Sequence, residues 1–256
     1  GPGVGGRATD PGWKQLVAMK AVLPSQGTPF FGNDEQKRLK RERVAMQRIN
    51  HPNVVKFHDA FFDESKLVYM MVMELAVGVS LQQLLDARGP LPQPKLTEIA
   101  AKLLSVLAEL HSKNIIHLDI KPHNIMYYEA EDGTGAWTIK LIDFGLARAP
   151  SKVGESSGGV GAHSTDLTTM GTQTQSIAGT LLYMPPEQLS SGAGANSALD
   201  ARSDIFAVGV TLYQLGSGRF PHRGECRTAA AALVELQGWQ AEPPTPLDQV
   251  VAAMDT

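Results

Sequence analysis

The residues His117–Leu118–Asp119–Ile120–Lys121–Pro122–His123–Asn124 bring an acid, a cation and an amide together within a few positions. Asp119 can accept the proton of an attacking hydroxyl, a role worth roughly 10²–10⁴ in rate. Lys121 can neutralise charge on a transferring phosphate. The side-chain carbonyl of Asn124 is a hard oxygen ligand suited to Mg²⁺. Downstream, Asp143–Phe144–Gly145 adds a second oxygen ligand, and Gly145 permits backbone conformations that other residues resist. Such a set could carry out phosphoryl transfer from a nucleotide to a hydroxyl. A lone Asp or Asn would usually belong to an ordinary polar turn, so the weight lies on the combination.

These residues need elements to position them. Pro122 makes the 117–124 segment a loop, and loops on rigid scaffolds are where catalytic groups belong. A long helix precedes it: Leu96, Ile99, Leu103, Leu107 and Leu110 fall on one face, and Leu104 and Val106 widen the stripe. Earlier, Leu16–Lys20 reads as a strand after the turn-like Asp10–Pro11–Gly12. Residues 34–49 read as a helix with Leu39, Met46 and Ile49 at helical spacing. Glu42 lies on the inward face of that helix, three residues after Leu39. An unpaired buried carboxylate is costly, so Glu42 needs a partner, and Lys20 is the candidate. A lone strand-end lysine is more commonly just solvated. Val54–Phe62 and Leu67–Glu74 read as strands, so strand, helix and strands suggest a small sheet carrying one helix.

After Gly78 the texture becomes helical. Residues 150–179 and Ser190–Ser197 are rich in small and polar side chains and read as loops. Ser203–Asp204 can cap a helix running through Phe206, Val210 and Leu215. An alanine-rich helix beyond Pro221 leads to the proline-rich Glu242–Pro246. There is no internal repeat.

Taken together, these segments resemble the protein kinase family. The resemblance rests on the 117–124 segment, on Asp143–Phe144–Gly145, and on Val17–Ala18–Met19–Lys20, which is similar to the family's V-A-I-K. It rests also on Gly179–Thr180–Leu181–Leu182–Tyr183–Met184–Pro185–Pro186–Glu187, with Pro185–Pro186–Glu187 in place of A-P-E. The resemblance implies an α+β, bilobal protein-kinase-like fold. A small β-rich N-lobe and hinge would occupy residues 1–76 and a larger, mainly helical C-lobe residues 77–256, with an activation segment over 143–187. It implies Asp119 as base and orienter, Lys121 as charge stabiliser, and Asn124 and Asp143 as Mg²⁺ ligands. Lys20, paired with Glu42, would hold the α- and β-phosphates of ATP. Met73–Glu74–Leu75–Ala76 resembles the hinge whose backbone binds adenine, with Met73 as gatekeeper, Ala18 as roof and Met126 as floor. Plain core packing describes Met73 and Met126 nearly as well. Thr180 and Lys121 point by resemblance to the serine/threonine type, with ATP and Mg²⁺ as cofactors and proteins bearing Ser or Thr acceptors as partners. Asp204 matches the helix aspartate that braces the catalytic-loop backbone, although an acid near a helix N-terminus is common anyway.

Composition is compatible with this. A chain of 256 residues, 43% hydrophobic, can form one large domain or two small lobes. A net charge of −3 gives no reason to expect nucleic acid or an anionic membrane as the main partner. No apolar run approaches the roughly 18 residues of a membrane span, and no signal-peptide pattern opens the chain. Cys226 is the single cysteine, which excludes an intrachain disulfide and fits a reducing, cytoplasmic setting.

Three departures from the family pattern stand out. Leu118 takes the place where most members carry arginine, the residue that pairs with an activation-loop phosphate. Leucine cannot make that contact, so independence from that phosphate is expected. Gly1–Pro2–Gly3–Val4–Gly5–Gly6 formally contains G-x-G-x-x-G. Spacing back from Lys20, however, puts Gly3 at the third glycine and Arg7–Ala8–Thr9–Asp10 in the second strand. The arginine that would pair with Glu187 has no evident counterpart after Pro221 at the expected place. Both observations lead us to expect a domain truncated at its two ends and weakly active by itself. Two other readings compete. A pseudokinase or scaffold would be marked by loss of Lys20, Asp119 or Asp143, all of which are present. A small-molecule kinase fits less well with Thr180 and Pro185–Glu187.

Overall fold

The first strands pair into an antiparallel sheet that does not follow chain order. In the computed structural model, which describes residues 4–8, 16–22, 33–63, 68–130, 134–144, 181–185, 200–221, 245–246 and 249, β1 (Val4–Ala8), β2 (Val17–Val22), β3 (Phe57–Asp63) and β4 (Val68–Glu74) lie in the order β1-β2-β4-β3. Lys20 is thereby placed on an inner strand, opposite Met71, and Ala18 lies opposite Met73. β1 covers Arg7 and Ala8 of the expected second strand; Thr9, Asp10 and the Asp10–Pro11–Gly12 turn lie outside the described residues.

Helix α1 (Asn33–Arg48) buries Leu39, Glu42, Ala45 and Met46, a spacing of three to four residues that makes one continuous stripe. Ile49 packs at its end, partly buried.

The expected strand Val54–Phe62 divides in two. Only its second half belongs to β3. Val54 and Val55 are buried against the end of another strand: Val55 N donates to Leu141 O at 3.1 Å, and Leu141 N donates to Asn53 O at 2.8 Å. The Asn53 side chain extends the same junction, donating to Ile139 O at 2.8 Å and Thr138 Oγ1 at 3.0 Å. Apolar character alone could not tell which sheet these valines would join.

That other strand belongs to a second sheet, which the helical reading after Gly78 did not include. β5 (Val79–Ser80), β6 (Ile125–Glu129) and β7 (Trp137–Leu141) pair antiparallel in the order β5-β6-β7. Their Ile, Tyr, Trp and Thr content is strand-like, but each run is short. Gly78 (φ +147°) enters this sheet where a Cβ would stand 2.3 Å from Tyr127 O, so no side chain fits.

Three more helices complete the description: α2 (Leu81–Arg88), α3 (Gln93–Ser112) and α4 (Arg202–Ser217). A capping box starts α2, with Gln83 N donating to Ser80 Oγ and Ser80 N to Gln83 Oε1. On α3 the buried face is Ile99, Leu103, Val106, Leu107 and Leu110, as expected, but Leu104 is 47% exposed. Leu104 lies roughly 100° round the helix from Leu103, beyond the edge of the stripe. Ser203 and Asp204 do not cap α4; its N-cap is Ala201, and both side chains are buried within the first turn. Gly218 (φ +71°) closes the helix. The segments 150–179 and Ser190–Ser197 and the alanine-rich stretch after Pro221 lie outside the described residues. No helix among the described residues is long and apolar enough to cross a membrane.

Candidate active site

The loop between α3 and β6 carries the first cluster. A one-turn 3₁₀ helix, Pro122–Asn124, follows Lys121, and its proline suits a first helical position. Asn124 Nδ2 donates twice to Asp119, to the backbone O and to Oδ2, each at 2.8 Å. Lys121 Nζ stands 2.8 Å from Asp119 Oδ1. The Asp119 carboxylate is therefore fixed on both oxygens. Because the amide nitrogen of Asn124 is committed to Asp119, its Oδ1 is left as the available donor atom, a ligand of the hard kind that Mg²⁺ takes.

The backbone before Asp119 is strained. Leu118 has φ +63°, in the left-handed region that costs an L-residue about 1–2 kcal/mol. Asp204, fully buried, holds it there: Leu118 N donates to Oδ1 at 2.8 Å and His117 N to Oδ2 at 2.9 Å. Hydrogen bonds to a charged group contribute about 1.5–3 kcal/mol each, enough to offset that strain. Leu118 is itself only 8% exposed, so the position presents an apolar side chain to the interior.

His117 is completely buried, its ring edge-on to Phe144 at 4.7 Å. Burial holds its pKa below the ordinary value, outweighing the nearby Asp204, Asp119 and Asp143 charges. Asp119 N donates to Nδ1 at 3.3 Å, which puts the proton of the neutral ring on Nε2; that atom has no partner among the described residues.

The second cluster joins the sheet to the residues after β7. Lys20 Nζ stands 3.0 Å from Glu42 Oε1 and 2.8 Å from Asp143 Oδ1. Burial opposes the charge on Lys20, yet the carboxylates of Asp143 and Glu42 outweigh it and raise its pKa. The expected Lys20–Glu42 pair is formed, and Asp143 joins it. Asp143, with φ +64°, is a second non-glycine residue in the left-handed region, and its side chain is 40% exposed. The two clusters are tied by Ile142 N, which donates to Asn124 O at 2.9 Å.

Ala18, Lys20, Glu42, Met46, Met73, Asp143 and Phe144 line a cavity of about 180 Å³. Ala18 and Met73 are thus brought to the lysine. Met126 is placed on β6, opposite Ser80 and Lys140, outside that lining. Glu74 ends β4 with its side chain turned to β7: its carboxylate accepts from Lys140 Nζ and from Lys56 N, bonds that lower its pKa against the effect of burial. Its backbone N donates to Lys56 O. Ala76, two residues on, is half-buried. Gly145, Thr180, Pro186 and Glu187 lie outside the described residues; Leu181–Pro185 are buried.

Sequence reasoning missed Lys140, the partner of Glu74, and His111, whose Nε2 lies 2.8 Å from Asp204 Oδ2. Neither carries a local signal, since each partner is far away in the chain. Among the described residues no group of three His, Cys, Asp or Glu side chains could hold a metal. A cation here would take Asn124 and Asp143 together with a ligand's own oxygens, the way Mg²⁺ is usually bound beside phosphates.

Comparison with known proteins gives one consistent result. The model of the protein kinase domain matches residues 3–246. The chain is similar to the serine/threonine-protein kinase PrkC of Bacillus subtilis, 34% identical over 217 residues, covering 84% of this chain and 28% of that protein. It is similar also to a probable serine/threonine-protein kinase PknB of Lactococcus lactis, 34% identical over 219 residues, 85% of this chain and 30% of the relative. PknL of Mycobacterium tuberculosis is 33% identical over 217 residues, 84% of this chain and 46% of the relative. The chain therefore spans less than half the length of each of these relatives.

Proposed function

The chain belongs to the protein kinase family, and we propose that it transfers the γ-phosphoryl group of ATP to Ser or Thr hydroxyls of protein substrates. The observation that carries this reading is the double fixation of Asp119 by Asn124 and Lys121, beside the Lys20–Glu42–Asp143 cluster. Bound ATP with Mg²⁺ supplies the electrophilic phosphorus and offsets its charge. Asp119 orients the acceptor hydroxyl and takes its proton. Lys121, already against Asp119, stabilises charge on the transferring group. Lys20, held by Glu42, positions the nucleotide phosphates, and Asn124 and Asp143 supply the oxygens that would hold Mg²⁺. Ala18 and Met73 line the cavity that takes the base, Met126 is assigned to its floor by family resemblance alone, and the Glu74–Ala76 backbone receives its edge.

On this reading, residues 1–76 form the lobe and hinge that hold the nucleotide. Residues 77–256 form the lobe that presents the catalytic loop, and 143–187 is the activation segment. The relatives' names and Lys121 support Ser/Thr over Tyr as acceptor. Because the reaction draws on ATP, it belongs on the cytoplasmic side.

The test is transfer of label from γ-labelled ATP to Ser, Thr and Tyr peptide arrays by the full-length protein, with Asp143→Ala as the blank. Incorporation into Ser and Thr peptides that vanishes in the blank is expected. Equal signal in parent and blank would favour a partner-binding role without catalysis, and label on tyrosine alone would overturn the acceptor class.

A further inference from the structure

The hairpin of β6 and β7 carries a cluster that the catalytic reading leaves unused. Tyr127 of β6 and Trp137 of β7 lie side by side, with ring centroids 5.5 Å apart. Two lysines of α3 approach the same indole: Lys95 Nζ stands 5.1 Å from its centroid and Lys102 Nζ 5.3 Å. Their spacing is close to two helical turns, so both leave the same face of α3. Lys95 is engaged locally: its Nζ donates to the Tyr127 hydroxyl at 2.6 Å and lies 3.9 Å from Glu129 Oε1. That hydroxyl donates in turn to Glu129 Oε1 at 2.5 Å, and Arg88 Nη1 reaches the same oxygen at 3.5 Å. One carboxylate oxygen thus serves two cations and a phenol. Lys102 forms no ion pair among the described residues, and the indole face is what meets its charge. Glu98, between the two lysines on α3, forms no ion pair with either among the described residues. Glu131 and Asp132, which follow β6 in the chain, lie outside the described residues.

We propose that this cluster docks an acidic segment of the protein substrate, with Lys102 and Lys95 receiving its carboxylates beside Trp137. The inference rests on the reading of the chain as a kinase that acts on proteins. Two ammonium groups over one ring repel each other, and a carboxylate bound between them removes that repulsion while leaving the cation–π contacts in place. Charge complementarity therefore selects an anion. The small extent of the patch selects a peptide: so few cations make too narrow a field for a membrane or a nucleic acid, and the net charge of −3 opposes both. Position suits a substrate. Ile125 follows Asn124 directly and pairs with Leu141, two residues ahead of Asp143, whereas Glu129 and Trp137 pair at the far end of the same hairpin. The two ends are about 14 Å apart along the strand. A segment bound at the far end would hold an acceptor hydroxyl near Asp119 by a short tether, raising its effective concentration with no new contact at the catalytic loop.

Two readouts are taken on the full-length protein. The first is fluorescence anisotropy of a labelled peptide of alternating Glu and Gly. Lys102→Ala should weaken its binding about fivefold, Lys102→Arg should stay within about twofold of the parent, and high salt should weaken the parent itself. The second is steady-state phosphorylation of a Ser peptide, alone or joined to the same acidic stretch. A Gly/Ser linker of about ten residues spans roughly 17 Å and suits the separation. The acidic tail should lower KM at unchanged kcat in the parent. That advantage should vanish in Lys102→Ala, which should handle the peptide without a tail as the parent does. Equal affinity of parent and Lys102→Ala for the acidic peptide overturns the proposal, as does a tail that leaves KM unmoved. Phosphatidylglycerol vesicles that bind the parent but not Lys102→Ala, with no peptide binding, would overturn it in favour of a membrane. If Lys102→Ala does not fold, Lys102→Gln takes its place. If the parent transfers no phosphate, the proposed function fails, and anisotropy still decides whether the patch binds an acidic peptide.

Discussion

Lys20 Nζ lies 2.8 Å from Asp143 Oδ1, a contact between residues 123 positions apart. It joins an inner strand of the first sheet to the residues just after β7, and Glu42 of α1 completes it from the other side. One ammonium thus reports on three elements at once. Anything that shifts α1, β2 or the end of β7 changes this contact, so on the proposed reading nucleotide positioning depends on how all three are assembled.

Lys20→Met should therefore remove most of the activity while leaving the fold recognisable. Loss of one preorganised electrostatic group typically costs about 10²–10³ in rate. Steady-state phosphorylation of a Ser/Thr peptide checks this, with circular dichroism to confirm folding. A variant within a few-fold of the parent would remove Lys20 from the site.

Asn124 orients Asp119, and on the proposed reading it also offers Oδ1 to a cation. Asn124→Ala should lower kcat and raise the Mg²⁺ concentration needed for half-maximal rate. Asp119→Asn should lower kcat by roughly 10²–10⁴ without moving that Mg²⁺ dependence. Chelation by EDTA should stop turnover in the parent. Identical Mg²⁺ titrations for all three proteins would show that Asn124 is not a ligand.

Leu118→Gly sets two effects against each other. Glycine removes the left-handed penalty of about 1–2 kcal/mol, but truncating a buried leucine costs about 2–5 kcal/mol. Lost burial outweighs relieved strain, so a net destabilisation of up to about 4 kcal/mol is expected from urea unfolding. A more stable variant would mean that the strain at Leu118 had been underestimated.

Burial holds His117 below its ordinary pKa of 6.5, and His51, His58 and His123 are displaced in the same direction. A histidine with a depressed native pKa contributes stability above the unfolded value, and this is lost as pH falls toward the native one. Stability should drop between pH 7.5 and 5.5, with His117 accounting for up to roughly 1.4 kcal/mol per pH unit. Lys20, shifted upward, acts only above 10.5, and the lowered carboxylates act only below about 4.5. Urea titrations at three pH values on parent and His117→Asn decide it. Equal slopes would count against a neutral buried imidazole.

Leu118 also bears on regulation. It offers no cation to a phosphorylated residue in 151–180, and its side chain is buried. Phosphatase treatment should leave the rate within about twofold, because the usual charge-assisted pairing has no arginine at this position. Abolished activity after treatment would contradict this.

Residues whose chemistry is packed into short motifs are legible in the amino-acid order itself. Asp119, Lys121 and Asn124 are neighbours in sequence and in space. Glu42 is readable because a carboxylate on an apolar stripe demands a cation. What escapes such reading depends on long-range pairing. Val54 and Val55 join β7 rather than β4, a choice made by Asn53 and Leu141. The β5-β6-β7 sheet is built from runs too short for periodicity to separate from helix or loop. His111 and Lys140 are ordinary surface-type residues until Asp204 and Glu74 are placed beside them.

The turn after α1 fastens that helix at one end. Lys113 Nζ donates to Arg48 O, His51 shares a hydrogen bond with Ser105, and Asn53 bonds to β7. Glu42 lies six residues up the helix, about 9 Å from this anchorage. A rod held at its foot can tilt but cannot slide. The foot is therefore a fulcrum, and the Lys20–Glu42 separation measures an angle. Small rotations against α3 would be magnified at Glu42, whereas pushes along the helix axis would be absorbed where Asn53 is tied down.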